Sequence, residues 1–185
     1  MHSAVDLATQ VGARVRMLRT ERGISLSELA RRSQVGKGTL SELESGRRNP
    51  TLETLYALTT ALDVPLSAAL HTTGPSAEIS GAAVDAVLTE RFEDASAVTE
   101  TYRVRIRAGS TQESAGHTPG TTEHIVVLAG TVRVGPLDAP ALRVGPGEHA
   151  TWAADVPHLY QAPENDVDAL LVIRYPRQSF GTESD

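Results

Sequence analysis

The hydrophobic pattern of this chain changes period once, and that change limits the folds open to it. Up to about residue 71 apolar residues recur at helical spacing. Leu7, Val11, Val15 and Leu18 fall at i, i+4, i+8 and i+11, one stripe of a helix. Beyond residue 82 the period becomes two: Tyr102, Val104, Ile106 and Ala108 alternate with Thr101, Arg103, Arg105 and Arg107. Between them, Thr72–Gly81 (TTGPSAEISG) is small, polar and broken by Gly and Pro, which reads as a linker. The pattern predicts an α+β chain with helices first and strands after, in four parts: 1–71, a linker at 72–82, 83–176, and a tail at 177–185.

Charge follows the same division. The net charge is −6, which looks wrong for a nucleic-acid binder until it is split. Residues 1–75 hold nine Arg and Lys against seven Asp and Glu, whereas residues 76–185 hold eight against sixteen. The first part is mildly basic and the second strongly acidic, so only the first suits DNA. There is no cysteine, which excludes disulfides and thiolate metal sites. No run approaches a membrane span, and the N-terminus shows no basic-then-apolar signal segment, so the chain is expected in the cytoplasm.

The helical part reads as five short helices. Gly23 closes the first. Ser25 caps the second, with Glu28 three residues on to complete a capping box. Gln34-Val35-Gly36 breaks the chain, with Val35 buried and Gly36 supplying unusual backbone angles. The third helix, from about Lys37 to Ser45, has a core side in Leu40 and Leu43. Its other side offers Lys37, Gly38, Thr39, Ser41 and Glu42. Arg47, Arg48 and Asn49 follow at once. Thr51 caps a fourth helix with Leu55, Leu58 and Leu62 inward, and a short fifth helix carries Leu66 and Leu70.

Ser25, Glu28, Leu29, Ala30, Val35, Thr39, Leu40, Ser41, Leu43, Glu44, Gly46 and Pro50 fall on one spaced pattern. It resembles that of the phage-repressor (Cro-type, XRE) helix-turn-helix family; Leu26 stands where that family often has Gln. The resemblance implies double-stranded DNA as partner. It places Ser25, Ser27, Lys37, Gly38, Thr39, Ser41, Glu42, Arg47, Arg48 and Asn49 at the interface, with Glu44 bracing the helix pair.

Two stretches of the strand-built part carry a second resemblance. His117-Thr-Pro-Gly-Thr-Thr-Glu123-His124 runs on to Gly130, and Gly147-Glu-His runs on to Pro157-His158. These are similar to the two motifs of the cupin family, which implies a double-stranded β-helix, a jelly-roll-like barrel. By position the metal ligands of such a barrel would be His117, Glu123 and His158; Pro119 stands where a further His is usual. Imidazole and carboxylate from neighbouring strands suit Fe, Mn, Ni or Zn. His124 neighbours Glu123 on a strand and so points to the other face. With one ligand replaced, an organic effector is favoured over a metal, held by His117, Glu123, Trp152, His158 and Tyr160 in a mostly aliphatic pocket.

Together the resemblances imply a dimeric, sequence-specific transcription regulator whose cupin senses a small molecule. It is expected not to be an enzyme. The alternatives are a cupin metalloenzyme carrying a DNA-binding domain, and an architectural binder whose barrel only dimerises.

Overall fold

A computed structural model describes residues 4–70 and 78–177. The residues expected to form the N-terminal tail, most of the linker and the C-terminal tail, His2 and His71 among them, lie largely outside that range. Five helices open the chain: α1 (Ala4–Glu21), α2 (Leu26–Ser33), α3 (Lys37–Glu44), α4 (Leu52–Ala61) and α5 (Ser67–Leu70). Ala8, Val11, Val15 and Leu18 turn one side of α1 inward, against Leu29, Leu40, Leu43, Leu55 and Leu58. α1 lies so close to α3 that a Cβ on Gly12 would stand 2.0 Å from the Leu43 carbonyl oxygen.

The caps form as the sequence predicts. Ser25 Oγ accepts from the Glu28 amide at 3.1 Å, and Thr51 Oγ1 from the Thr54 amide at 3.3 Å. The other half of the capping box does not form, because the Glu28 carboxylate instead takes Arg31 and Arg32 at 2.8 and 2.7 Å. The turn is also made differently. Gly36 has φ −54°, open to any residue, and Gln34 takes the left-handed conformation at φ 57° that ends α2.

Ten strands follow in two antiparallel sheets. They are β1 (Glu78–Ser80), β2 (Val84–Glu93), β3 (Ala97–Ile106), β4 (Ser110–Ser114), β5 (Thr122–Ala129), β6 (Val132–Pro136), β7 (Leu142–Val144), β8 (His149–Ala153), β9 (His158–Ala162) and β10 (Val167–Pro176). One sheet runs β1-β2-β3-β10-β5-β8 and the other β4-β9-β6-β7. Such neighbours, far apart in sequence, are the jelly-roll signature of a cupin barrel. Inward residues alternate along each strand: Val98, Glu100, Tyr102, Val104 and Ile106 on β3, Glu123, Ile125 and Val127 on β5. The stretch expected as a linker is partly built in. β1 falls within it, pairs with β2, and buries Ile79.

The two halves are docked. Their buried apolar residues form one continuous cluster. Beside Leu55 and Leu58, α4 also buries Leu52, Tyr56 and Thr59, a broad buried face. The Ser67 amide donates to Glu100 at 3.2 Å, and the Ala82 amide donates to Glu53.

Candidate functional site

The residues expected to meet DNA are exposed, with Thr39 the exception. Ser25 and Ser27 sit at the start of α2. Lys37, Gly38, Ser41 and Glu42 are exposed on α3 with Thr39 half-buried beside them, and Arg47, Arg48 and Asn49 are exposed beyond it. The second face of α3 anchors it through Leu40 and Leu43. Glu42 pairs with Arg48 at 3.4 Å in the open, a contact of little energy that either residue can leave. Glu44 braces α3 against α1 and not against α2: Arg19 holds it with two hydrogen bonds of 2.7 and 2.8 Å. Arg19 also donates to the Ile24 carbonyl, so one guanidinium fixes the entry to α2 and the end of α3.

The five residues expected in the cupin pocket are all buried and converge. Strand parity brings Glu123 inward on β5, opposite Trp152 of β8. His158 opens β9 opposite Ser114 and Pro136, and His117 hangs from the connection between β4 and β5, its amide bonded to the Ala154 carbonyl. One ligand atom from each of His117, Glu123 and His158 lies within 4.8 Å of the others. His124 is outward, as its parity requires, with Nδ1 2.7 Å from Thr151 Oγ1. His149 is exposed too, and Pro119 sits exposed in the turn after His117.

The wall is aromatic where an aliphatic one was expected. Trp152, Tyr160 and His158 meet edge to face or tilted, at centroid separations of 5.6 to 6.4 Å, and Tyr175 lies 6.3 Å from His117. Rings on alternate inward positions of β8, β9 and β10 fill this end of the barrel. One ring comes from outside it: Tyr56 of α4 lies on His117 at 4.5 Å. The sequence reading of the site named Tyr175 beside Trp152 and Tyr160 as a ring that could line a cavity, and missed Tyr56 and Glu100.

Glu123 accepts from His117 Nε2 at 2.9 Å and from the Tyr160 hydroxyl. Burial opposes ionisation of Glu123. The His117 hydrogen bond, the fields of His158 and His117, and the Tyr160 hydrogen bond outweigh it and hold the pKa below the usual carboxylate value. Burial pushes the Tyr160 phenol well up, so it stays a donor. His158 Nδ1 donates to the Val156 carbonyl at 2.8 Å; a neutral ring then carries its lone pair on Nε2, and a protonated one carries an N–H on the side of Glu123. That buried Nε2 has no partner and lies 3.6 Å from Glu123 Oε1. With the His158 ring neutral, two acceptors face each other with no donor between them. A cation or a ligand proton would resolve that, so the donor set fits a divalent ion as cupin barrels hold one. His117, Glu123 and His158 would be its ligands, with the Val156 carbonyl orienting the His158 ring.

The profile of HTH_3, a helix-turn-helix family, matches residues 15–68. The HTH-type transcriptional regulator SutR of Escherichia coli K12 is 31% identical over 179 residues, covering 93% of this chain and 98% of that protein. The transcriptional regulator ClgR of Mycobacterium tuberculosis H37Rv is 36% identical over 89 residues, 41% of this chain and 80% of its own. A solved HTH_3 family transcriptional regulator from Vibrio cholerae shares the fold with a TM-score of 0.82 at 24% identity, over 95% of this chain and 100% of that one. Among the described residues no helix is long and apolar enough to cross a membrane. With helix-turn-helix and jelly-roll barrel in one chain and a relative matched almost end to end, this protein belongs to the XRE-type helix-turn-helix transcriptional regulators with a C-terminal cupin domain.

Proposed function

We propose that the protein binds operator DNA as a dimer through residues 1–71 and senses a small effector in the barrel of residues 83–176. The observation that carries the sensor reading is the buried convergence of His117, Glu123 and His158, ringed by Trp152 and Tyr160, in a chain whose other half exposes a recognition helix. A core built only for stability gains nothing from an unpaired imidazole nitrogen opposite a carboxylate. The dimer follows from geometry, since one reading helix offers few base contacts and two half-sites must lie about 34 Å apart. Exposed Val126 and Leu128 on β5 supply apolar surface for a second copy. The protein's task is to couple occupancy to DNA affinity, and catalysis plays no part in it.

The test starts from DNA fragments recovered by genome-wide mapping of bound sites. Compounds made or consumed by the products of neighbouring genes are then titrated against operator affinity. His117→Ala with His158→Ala is expected to abolish the response while leaving ligand-free DNA affinity intact; loss of both together would count against a sensor. The orphaned Nε2 of His158 favours a second reading, in which a divalent cation is the effector or helps to hold it. Stoichiometric metal in gently purified protein, with DNA binding that changes on chelation, would select it.

A further inference from the structure

We propose that the helical half is the lid of the barrel site, and that Tyr56 of α4 is a residue of that site. The proposal rests on the reading that His117, Glu123 and His158 take a ligand, and adds how the ligand reaches them and what it moves. His117 is 5% exposed, and Glu123 and His158 are 0% exposed, so as folded the cluster admits nothing from solvent. Some wall must open. Around Glu123 and His158 the walls are continuous ladders, β5 between β10 and β8, and β9 between β4 and β6. Parting a ladder amounts to unfolding the barrel. Over His117 the wall is the ring of Tyr56, 4.5 Å away, on a helix outside both sheets.

Few hydrogen bonds hold α4 and α5 on the barrel: the Ser67 amide of α5 donates to Glu100, and the Ala82 amide donates to Glu53 of α4. A docked element with few bonds is the one that opens first. The seam is also already parted at one end. A cleft of about 440 Å³ runs between Asp63, Val64 and Pro65 on the helical side and Thr118, Pro119 and Tyr175 on the barrel side. Tyr175 faces both the cleft and His117.

A ligand that reaches Glu123 thus binds only the form in which Tyr56 has left His117, and occupancy draws the protein toward that form. The helix that leaves is packed in the same bundle as α3, so the recognition face moves with it. The compound that fits is small, with a donor or cation for the paired acceptors of Glu123 and His158 and a flat body for a box of rings.

The experiment needs no effector. Full-length protein is treated briefly with diethyl pyrocarbonate, and carbethoxylation of each histidine is followed by peptide mass spectrometry. Exposed His149 is the internal reference. In wild type, His117 and His158 should react at least about tenfold more slowly than His149, because reaction waits on local opening. Tyr56→Ala should bring both toward the His149 rate, and Tyr56→Phe should keep them protected. Glu53→Ala with Glu100→Ala removes the hydrogen bonds of the seam without touching the cluster and should also expose both, which keeps the test sound if Tyr56→Ala fails to fold. His117 and His158 as reactive as His149 in wild type would overturn the lid. So would protection that survives in the double variant with its barrel still folded. Those outcomes leave the sensor reading standing; a lid that opens as described, beside DNA affinity that no compound or metal alters, would overturn the sensor instead.

Discussion

Glu100 is the residue on which the two halves meet, and it is a carboxylate with no exposed surface. Burial is the largest influence on it and raises its pKa. Hydrogen bonds from Ser67 and Tyr102, the latter at 2.5 Å, and Arg91 with Nε 4.0 Å away offset only part of that. The native protein therefore binds this proton more tightly than the unfolded chain does. Its contribution to stability is intact below the ordinary carboxylate value of about 4.3 and is lost as pH rises toward the raised one. Glu100→Gln keeps an acceptor for Ser67 and loses the charge. Its Tm should match wild type near pH 4 and exceed it increasingly toward pH 7, as scanning calorimetry would show; an excess that shrinks as pH rises would refute the assignment. Glu100 was legible in principle, since it shares the inward parity of Tyr102 and Val104, and a charge on an apolar face is a signal. His117, Glu123 and His158 were legible from spacing alone because strand parity decides their direction. Tyr56 was not. It stands on a broad buried face of α4 within which no helix pattern marks it out, and its partner lies 61 positions away.

At the scale of elements, α3 and the loop after it divide two jobs that salt can separate. Thr39→Ala or Lys37→Ala should relax sequence preference at a cost of about 1–3 kcal/mol for a good base contact. Arg47→Ala should weaken every sequence alike and lower the slope of log affinity against log salt by about 1. Competition binding at several salt concentrations distinguishes them, and an unchanged slope would remove Arg47 from the phosphate contacts. α3 stands where it does because α1 backs it without a side chain at Gly12. Gly12→Ala must push the helices apart, a strain of about 3 kcal/mol, and should lower Tm by roughly 6–12 °C. A Tm within a degree of wild type would contradict that packing. Helices and most strands were legible from period and caps. The left-handed Gln34 and strand β1 were not, because the first depends on where α2 stops and the second on a partner strand that pairs a short Glu-Ile-Ser run otherwise written like a linker.

At the scale of the whole molecule, a Gly- and Pro-broken connection between a mildly basic and a strongly acidic part reads as a linker between two bodies. The docking of α4 and α5 on the barrel shows why sequence alone misses the difference. Interdomain contacts are spread over Glu53, Tyr56, Ser67 and Glu100, each with an ordinary local role, and no periodicity marks them. The docking has a consequence for avidity that severing the chain would reveal. With a specific protease site inserted after Gly74, cleavage removes the covalent link and leaves the interface. If docking holds each helical half on a dimeric barrel, the cleaved protein should still present two recognition helices together, and its operator affinity should fall by no more than about tenfold. The same cleavage in Glu53→Ala with Glu100→Ala should cost about a hundredfold or more, because each half-site then meets an independent monomer. Gel filtration of the same samples should show the fragments travelling together in the first case and apart in the second. Equal loss of affinity in both would mean that the connection, and not the interface around Glu100 and Tyr56, joins DNA recognition to the barrel.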